Sequence, residues 1–237
     1  MGNRINVKDS FKNIHEGKDI WIIGGGASLN YVNPSFFNNK ITIGLNQAFT
    51  KFKYCTYYMK KDGAEWQGRN ILKHIKEVSP ESKLIMSDYV GCAKEWGHND
   101  FSNIDWFNVD YYYFDHPCGH GEMDESVLQK VIEEGIFPNG ISLTAIATAM
   151  AVFMGAKNII ICGNDECFLD GKDYFDEYVD KFECNLDHKS CLLWTGGQTT
   201  ACVNYFRNLG YNIVGLNPFV NLLFEGHIYT REGGKGN

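Results

Sequence analysis

Three consecutive glycines at residues 24–26 are the feature of this sequence that most directly suggests chemistry. They follow the apolar stretch "DIWII" and are followed in turn by Ala27 and Ser28. A glycine turn after a buried strand lets the backbone approach a phosphate while the N–H groups of the next segment point at it. The turn therefore predicts phosphate binding, and the alternative is a tight turn without a ligand. Leu29 stands where the dinucleotide fingerprint needs its third glycine, so a standard NAD site is not expected.

Polar side chains follow three further apolar runs. Asn46 follows "ITIGL", Lys61 and Asp62 follow "TYYMK", and Asp165 follows "IIICGN". The carboxyl ends of parallel strands share one edge of a sheet, where α/β proteins bind their ligands. We therefore expect one cleft, in which the Asn46 amide contacts a base or ribose and the Asp165 carboxylate holds Mg²⁺ or orients an acceptor hydroxyl. The alternatives are a turn or cap for Asn46 and a cap for Asp165.

Two helix starts add hydroxyl and N–H donors to this picture. Ser142 is a suitable N-cap for the Ala-rich stretch that ends near Gly155. The pair Gly196 and Gly197 precedes a second helical stretch, where it predicts another anion cradle or, alternatively, a loop with a helix cap.

Alternation of short apolar runs with longer helical stretches predicts the fold class. Four of the runs are continuously apolar, as in strands that are covered on both faces of a parallel sheet. We expect an α/β fold: a three-layer, Rossmann-like, doubly wound, mostly parallel sheet. The predicted strands are 19–24, 40–45, 54–59, 82–87, 158–163 and 212–216, and the predicted helices are 64–78, 142–156 and 199–210.

The length of 237 residues fits a single Rossmann-like domain over 1–237. Residues 88–137 differ from the rest because they are aromatic, acidic and interrupted by glycines. This composition predicts an insertion that serves as a lid or an interface, in which 124–134 is helical.

Composition excludes several classes of protein. The net charge of −7 and the lack of a basic run argue against nucleic-acid binding. No apolar run reaches 18 residues and the first residues lack the pattern of a signal peptide, so we expect a cytoplasmic chain without a membrane span, in which the eight cysteines are reduced. The cluster "HPCGH" has no partner at zinc spacing, and no metal site is predicted.

Four segments carry a family resemblance: "GKDIWIIGGGASLN", "IGLNQAF", "CTYYMKKD" and "ISLTAIATAMAVFMGAKNIIICGNDECF". They resemble the 6-hydroxymethylpterin diphosphokinase-like (MptE-like) family of Rossmann-like proteins and, more distantly, the bacterial sialyltransferases of glycosyltransferase family 42. In these families the first strand ends in G-x-G-x-S-L, the second in Asn, and a late helix–strand unit in G-x-D. The resemblance covers roughly residues 17–66 and 139–218.

The resemblance implies a nucleotide site. The sialyltransferases bind a cytidine monophosphate (CMP) sugar at this edge, and the pterin enzymes bind a nucleoside triphosphate and a pterin. A late tyrosine that contacts the nucleotide phosphate in the sialyltransferases is matched here by Tyr174, whose alternative role is that of a loop aromatic. The implied nucleotide-binding residues are Gly24, Gly25, Gly26, Ser28, Asn46, Asp62, Ser142, Thr144, Gly163 and Tyr174.

Two departures bear on activity. The sialyltransferases have Asn where Gly25 stands, and their general base is a His before the last helix, a region that reads "LLWTGGQTTA" here. His188 lies a few residues upstream and is, with Asp165, the catalytic candidate; alternatively it is a solvated loop residue. A diphosphokinase would need Mg²⁺, for which Asp62 and Asp165 are the candidate ligands and Lys61 the charge.

The sequence thus predicts a nucleotide-dependent transferase with a nucleotide or nucleotide sugar and a small acceptor as its partners, of the glycosyltransferase or pyrophosphokinase type. The cofactor stays unassigned, apart from Mg²⁺ in a diphosphokinase, and an oligomer is compatible with the sequence. The alternative is a binding or assembly protein that keeps the cleft without turnover.

Overall fold

Eight parallel strands form one sheet in the described part of the chain. The computed structural model describes residues 5–61, 72, 74–87, 109–113, 123, 125–138, 142–178, 188–216 and 224–230, with side chains in the last helix from Leu193 onward. The strands are β1 (Ile5–Asn6), β2 (Asp19–Ile23), β3 (Ile41–Leu45), β4 (Tyr57–Lys60), β5 (Lys83–Ser87), β6 (Tyr111–Tyr113), β7 (Asn158–Cys162) and β9 (Asn212–Leu216). A separate antiparallel pair joins β8 (Phe168–Leu169) to β10 (Tyr229–Thr230).

The helices that the structure describes are α1 (Val7–Ser10), α2 (Glu125–Glu134), α3 (Leu143–Phe153) and α4 (His188–Asn208), with a further helical turn at residues 74–78. Short 3₁₀ helices at Ala27–Tyr31, Pro34–Phe37 and Ala48–Thr50 follow the strands β2 and β3.

The strand order across the sheet is β1-β6-β5-β4-β3-β2-β7-β9. The chain builds outward from β2 through β3, β4, β5 and β6, and then returns to the other side of β2 to place β7 and β9. The direction of winding therefore changes between β2 and β7, and in doubly wound sheets ligands bind at the carboxyl ends of the strands that flank this point. The predicted fold class is confirmed.

Side chains on both faces of the sheet are buried, which makes three layers. On one face Ile20, Ile22 and Met59 pack against α3 and α4, and on the other Tyr58 and Leu84 pack against the 3₁₀ segments. Neighbouring residues of a strand point to opposite faces, so apolar runs without alternation are what such a sheet requires.

The helix α3 is buried along its whole length, and its orientation places its first turn at the edge of the sheet where the site is expected. Ser142 caps it by accepting a hydrogen bond from the Ala145 N–H at 3.2 Å, as predicted. Gly155 follows its last turn with φ +79°, a left-handed conformation that glycine adopts without strain. Because the end of α3 bonds to the segment before β2, through the His15 and Gly17 N–H groups, its start lies at the carboxyl edge of the sheet.

Two expectations about these elements need correction. Tyr111–Tyr113 is a strand between β1 and β5, and Val127, Leu128 and Val131 of α2 lie in the main core, so the described parts of 88–137 belong to the sheet and its packing. The β-propensity of the tyrosines and the amphipathic helix pattern explain this. The helix expected at 124–134 is confirmed, and the lid prediction for the rest falls on residues that the structure does not describe.

The second correction concerns the last helix, which we expected over 199–210. It begins at His188, so Gly196 and Gly197 lie inside α4 rather than before it. An interior glycine costs a helix only about 1 kcal/mol, which the packing of α4 against α3 and β9 overcomes.

Within the described residues no helix is both long enough and apolar enough to cross a membrane. Cys55, Cys162, Cys167 and Cys202 are free thiols, as expected, and three of them are buried.

Candidate functional site

The glycine turn at residues 24–26 packs tightly against the end of β7. The Gly24 N–H donates to the Cys162 carbonyl at 2.8 Å, and the Gly26 N–H donates to the Gly163 carbonyl at 2.9 Å. A β-carbon at Gly24 would lie 2.4 Å from the Gly163 carbonyl oxygen, closer than atoms can approach. Two strand ends thus meet backbone to backbone, and this contact requires the glycine.

Asp165 occupies the space beside Gly26. A β-carbon on Gly26 would lie 2.5 Å from the Asp165 carboxylate carbon. The carboxylate accepts hydrogen bonds from the Ser28 N–H at 2.7 Å and from the Ser28 hydroxyl at 2.6 Å. The structure brings the predicted residues Gly24, Gly26, Ser28, Gly163 and Asp165 together, with the carboxylate held on the glycine turn.

Burial raises the pKa of Asp165 above that of an ordinary carboxyl group, and the two hydrogen bonds from Ser28 act in the opposite direction. The net direction is upward, so the protein environment disfavours the charged form. The charged form of this half-buried carboxylate, at the end of β7, is therefore less favourable in the protein than it is in water.

Tyr174, the tyrosine that the resemblance implies at a nucleotide phosphate, contacts the same turn. It forms an antiparallel bridge with Gly26, and its ring stacks on Tyr178 with centroids 4.3 Å apart. A β-carbon at Gly25 would be 3.1 Å from the Tyr178 ring and 3.3 Å from the Tyr174 ring. The Gly25 carbonyl accepts from the Phe175 N–H at 3.1 Å, whereas its own N–H has no acceptor among the described residues.

Asn46 follows β3 with φ +49°, and its N–H donates to the Met59 carbonyl at 3.2 Å. Asn tolerates this left-handed conformation better than most residues, so the turn that we considered as an alternative is present. The side-chain amide makes no hydrogen bond within the described residues and is half-buried. The residue therefore forms the turn with its backbone and can bind a ligand with its side-chain amide.

The start of α3 presents donors without partners. Ser142 is 3% exposed and Thr144 is 8% exposed, so both lie well inside the surface. The N–H groups of Leu143 and Thr144 donate to no atom of the described chain, as is usual in the first turn of a helix without an anion. These groups form the positive end of the helix dipole, which favours an anion.

A buried polar cluster joins the start of α3 to α4. The Thr199 hydroxyl donates to the Thr195 carbonyl at 3.0 Å, so it accepts from the Ser142 hydroxyl at 2.7 Å. The Ser142 N–H donates to Gln198 Oε1 at 2.9 Å. Gln198 is 3% exposed and its Nε2 is buried without an acceptor in the described structure.

The space beside Gly196 is occupied by the side chain of Glu166, which follows β7, and is not open to an anion. A β-carbon there would lie 2.4 Å from Glu166 Oε2. Glu166 has φ +54° and its other oxygen accepts from the Asn164 amide at 2.7 Å. The anion cradle that we predicted at Gly196 and Gly197 is therefore wrong, because these residues are helical and Gly196 contacts a carboxylate.

Other predicted residues fall at or beyond the limits of the described structure. His188 is the first residue of α4, and Asp62 lies outside the described residues. The cluster at 116–120 also lies outside them. Among the described residues no group of three His, Cys, Asp or Glu side chains is placed to hold a metal ion.

A pocket of about 290 Å³ lies elsewhere, at the start of β3. Phe37, Thr42, Phe52 and the two lysines Lys51 and Lys53 are among its lining residues. None of the predicted site residues borders it.

Sequence reasoning missed Gln198 and Glu166. Gln198 and Thr199 fall on the same helical stripe as the buried residues Cys202, Val203 and Phe206, so the helix period would have placed both of them inside had α4 been predicted at its full length. Nothing in the sequence marks the left-handed backbone of Glu166.

Fold and site together define an α/β protein with a parallel doubly wound sheet and a polar cluster at its carboxyl edge. No protein-family model matches the chain, and no curated protein matches its sequence. Among solved structures it is similar to the sialyltransferase CstII from Campylobacter jejuni in complex with a substrate analogue, cytidine-5'-monophosphate, with 15% identity over 94% of this chain and 89% of that chain and a TM-score of 0.49. It is also similar to the sialyltransferase CST-II in complex with a trisaccharide acceptor and CMP, with 14% identity over 93% and 88% of the two chains and a TM-score of 0.47.

Proposed function

We propose that this chain is a nucleotide-dependent transferase that binds a nucleotide or nucleotide sugar at the carboxyl edge of its sheet. The observation that carries the proposal is the start of α3, where the N–H groups of Leu143 and Thr144 are unpaired beside the buried Ser142. A helix start of this kind lets an acidic chain bind an anion without a lysine or arginine cluster.

The proposed nucleotide lies between the start of α3 and the glycine turn. The free Gly25 N–H and the available Asn46 amide supply donors on the β2 and β3 side. Thr144 adds its hydroxyl at the α3 side, and Tyr174 borders the turn. Asp62 stays a candidate from the sequence resemblance.

Glycosyl transfer from a CMP sugar is the form of this function that we favour. Pyrophosphoryl transfer would require Mg²⁺ bound by carboxylates, and among the described residues no group of three His, Cys, Asp or Glu side chains is placed to hold a metal ion. The described residues therefore do not supply the ligands for a Mg²⁺ site built on Asp165.

Glycosyl transfer also needs a base for the acceptor hydroxyl. Asp165 is one candidate, because it lies at the end of β7 and its burial raises the pKa of its carboxyl group, which makes the carboxylate a better proton acceptor. His188 at the start of α4 is the other.

A binding protein without turnover is the second candidate function. It is favoured by the contact between Asp165 and Ser28, which gives the carboxylate a structural task, and by the protein atoms that fill the space around Gly24 and Gly26.

Thermal unfolding with CMP, cytidine, CDP and ATP, the last with and without Mg²⁺, tests the binding part of the proposal. A ligand at 100 times its Kd stabilises the fold by about 2.7 kcal/mol, which is easily measured. We expect CMP to stabilise the chain more than cytidine does. No stabilisation by any of the four ligands would overturn the proposed function.

Release of CMP from a CMP sugar separates transfer from binding. The unaltered chain and the variants Asp165→Asn and His188→Gln are compared at equal CMP occupancy. Loss of turnover of about a hundredfold in one variant, with CMP affinity retained, identifies the base. Binding of CMP without any turnover favours the second candidate.

A further inference from the structure

The orientation of the Gln198 side chain is fixed by its neighbour. The Ser142 N–H can only donate, and it points at Gln198 at 2.9 Å, so the oxygen of the amide faces Ser142. The nitrogen Nε2 is then the atom that is left over. It is bonded to the same carbon as Oε1, which places it beside the N-cap of α3.

The donors that surround the Ser142 and Thr199 hydroxyls are paired. The Ala145 N–H bonds to the Ser142 hydroxyl, this hydroxyl to Thr199, and Thr199 to the Thr195 carbonyl. Gln198 Nε2 carries two N–H bonds and is buried without an acceptor in the described chain. Buried amide groups nearly always have a partner, so one that does not needs an explanation.

We propose that Gln198 is a ligand-binding residue whose Nε2 donates to the phosphate of the bound nucleotide. This inference rests on the proposed function, since it names the group that the α3 start binds and the side chain that selects it. The Leu143 and Thr144 N–H groups and the Gln198 amide all lie at the start of α3 and all donate. A group that only accepts hydrogen bonds fits such a set, and a phosphate oxygen does so while its charge also benefits from the helix dipole.

The test compares CMP with cytidine, which lacks the phosphate, on Gln198→Glu. The variant keeps an oxygen for the Ser142 N–H and replaces the Nε2 donor by a carboxylate oxygen, which repels phosphate. We expect its CMP affinity by calorimetry to fall about tenfold to a hundredfold, the equivalent of one lost hydrogen bond to a charged group, with cytidine affinity unchanged. Gln198→Met, which removes the donor without adding charge, should lose less CMP affinity than Gln198→Glu and should also leave cytidine affinity unchanged.

Thr199→Val is the matched control. Thr199 belongs to the same buried cluster but its hydroxyl is fully paired within the protein, so the variant should lower the melting temperature and leave CMP affinity unchanged. A general disturbance of the cluster would weaken CMP in Thr199→Val as well, and this result would overturn the proposal.

The remaining outcomes are also decisive. CMP binding that is equally strong in Gln198→Glu and the unaltered chain overturns the role of Gln198 and leaves the proposed function standing. Equal losses for CMP and cytidine overturn the phosphate assignment. Failure of the unaltered chain to bind any nucleotide overturns both proposals.

Discussion

Two regions lie at the same edge of the sheet: the glycine turn at residues 24–26 and the junction of α3 with α4, formed by Ser142, Gln198 and Thr199. They differ in how many of their hydrogen-bond donors have an acceptor within the protein. At the turn, protein atoms fill the space beside Gly24 and Gly26, and the Asp165 carboxylate takes both donors of Ser28. At the junction, the Gln198 Nε2 is buried without an acceptor.

A glycine turn is a weaker sign of a bound ligand than a buried hydrogen-bond donor without an acceptor. Glycines mark places where backbones approach closely, and here the approaching groups are mainly the protein's own. An unsatisfied buried donor reports on something outside the chain, because leaving it unpaired costs about 1–3 kcal/mol. If the chain binds the nucleotide that we propose, its phosphate is therefore to be sought first at the junction, beside Gln198 Nε2.

The largest effect that we predict comes from Gly24→Ala. Its β-carbon would overlap the Gly163 carbonyl oxygen, so the ends of β2 and β7 must separate. We expect a loss of about 3 kcal/mol in the free energy of unfolding, at the upper end for overpacking, measured by denaturant titration.

Gly197→Ala is the control for that variant, because a β-carbon there meets nothing within 4 Å. Relief of an interior helix glycine should stabilise the chain by about 1 kcal/mol. If Gly24→Ala were as stable as the unaltered chain, the close packing of the turn against β7 would be refuted.

A smaller effect, about 1 kcal/mol at neutral pH, is expected for Asp165→Asn, since the amide keeps one acceptor and the Ser28 hydroxyl can reorient. The pH dependence is the sharper test. The folded pKa of Asp165 is raised, so the folded state binds the proton more tightly, and the stability of the unaltered chain relative to the variant falls as pH rises from 3.8 through the folded pKa. Denaturant titrations across this range measure it, and a difference that does not change with pH would contradict the account.

The coupling between Asp165 and Ser28 can be isolated with a double-mutant cycle. Ser28→Ala removes one donor to the carboxylate, and the cycle with Asp165→Asn should give a coupling energy of at least about 0.5 kcal/mol. Additive effects would mean that the carboxylate does not hold the turn through this hydroxyl.

The smallest effect that we predict concerns Asp170, which directly follows β8. Asp170 accepts from the Ile228 N–H at 2.9 Å, and its other oxygen contacts His227 and Tyr31. These bonds, the Ile228 N–H first, lower the pKa of Asp170. Its contribution is therefore present above 3.8 and is lost as pH falls through the lowered folded pKa, the opposite dependence to Asp165.

For Asp170→Asn we expect a slightly lower melting temperature at neutral pH and faster hydrogen exchange at the Ile228 N–H, with the difference fading in acid. Lys172→Met, which removes the exposed ion pair with Asp176, serves as the control and should leave that exchange rate unchanged. Unaltered exchange in Asp170→Asn would show that this carboxylate does not hold the 224–230 segment.

The sequence was sufficient to predict the sheet, because all six expected strands are present and continuous apolar runs have few other interpretations. It did not predict β1, β8 and β10, which have two residues each and no period to detect, or β6 within the aromatic segment. The N-cap at Ser142 was predicted because its signal is local.

The site was harder to predict because its contacts join distant parts of the chain. The sequence placed Asp165 at a strand end, but its partner Ser28 lies 137 residues away, and no periodicity connects them. Gly196 was misassigned to a loop because two adjacent glycines usually end a helix, whereas here the packing of α4 maintains it. Only the folded structure shows whether a buried donor such as Gln198 Nε2 has a hydrogen-bond acceptor.

We have proposed that the junction, rather than the glycine turn, holds the phosphate of the bound nucleotide. Titration of the ¹⁵N-labelled chain with CMP and, separately, with cytidine tests it directly by NMR. We expect the backbone signals of Leu143 and Thr144 and the side-chain signal of Gln198 to shift with CMP and to shift much less with cytidine. Shifts that require the phosphate but are confined to Gly24, Gly25 and Gly26, with Leu143, Thr144 and Gln198 unmoved, would contradict it.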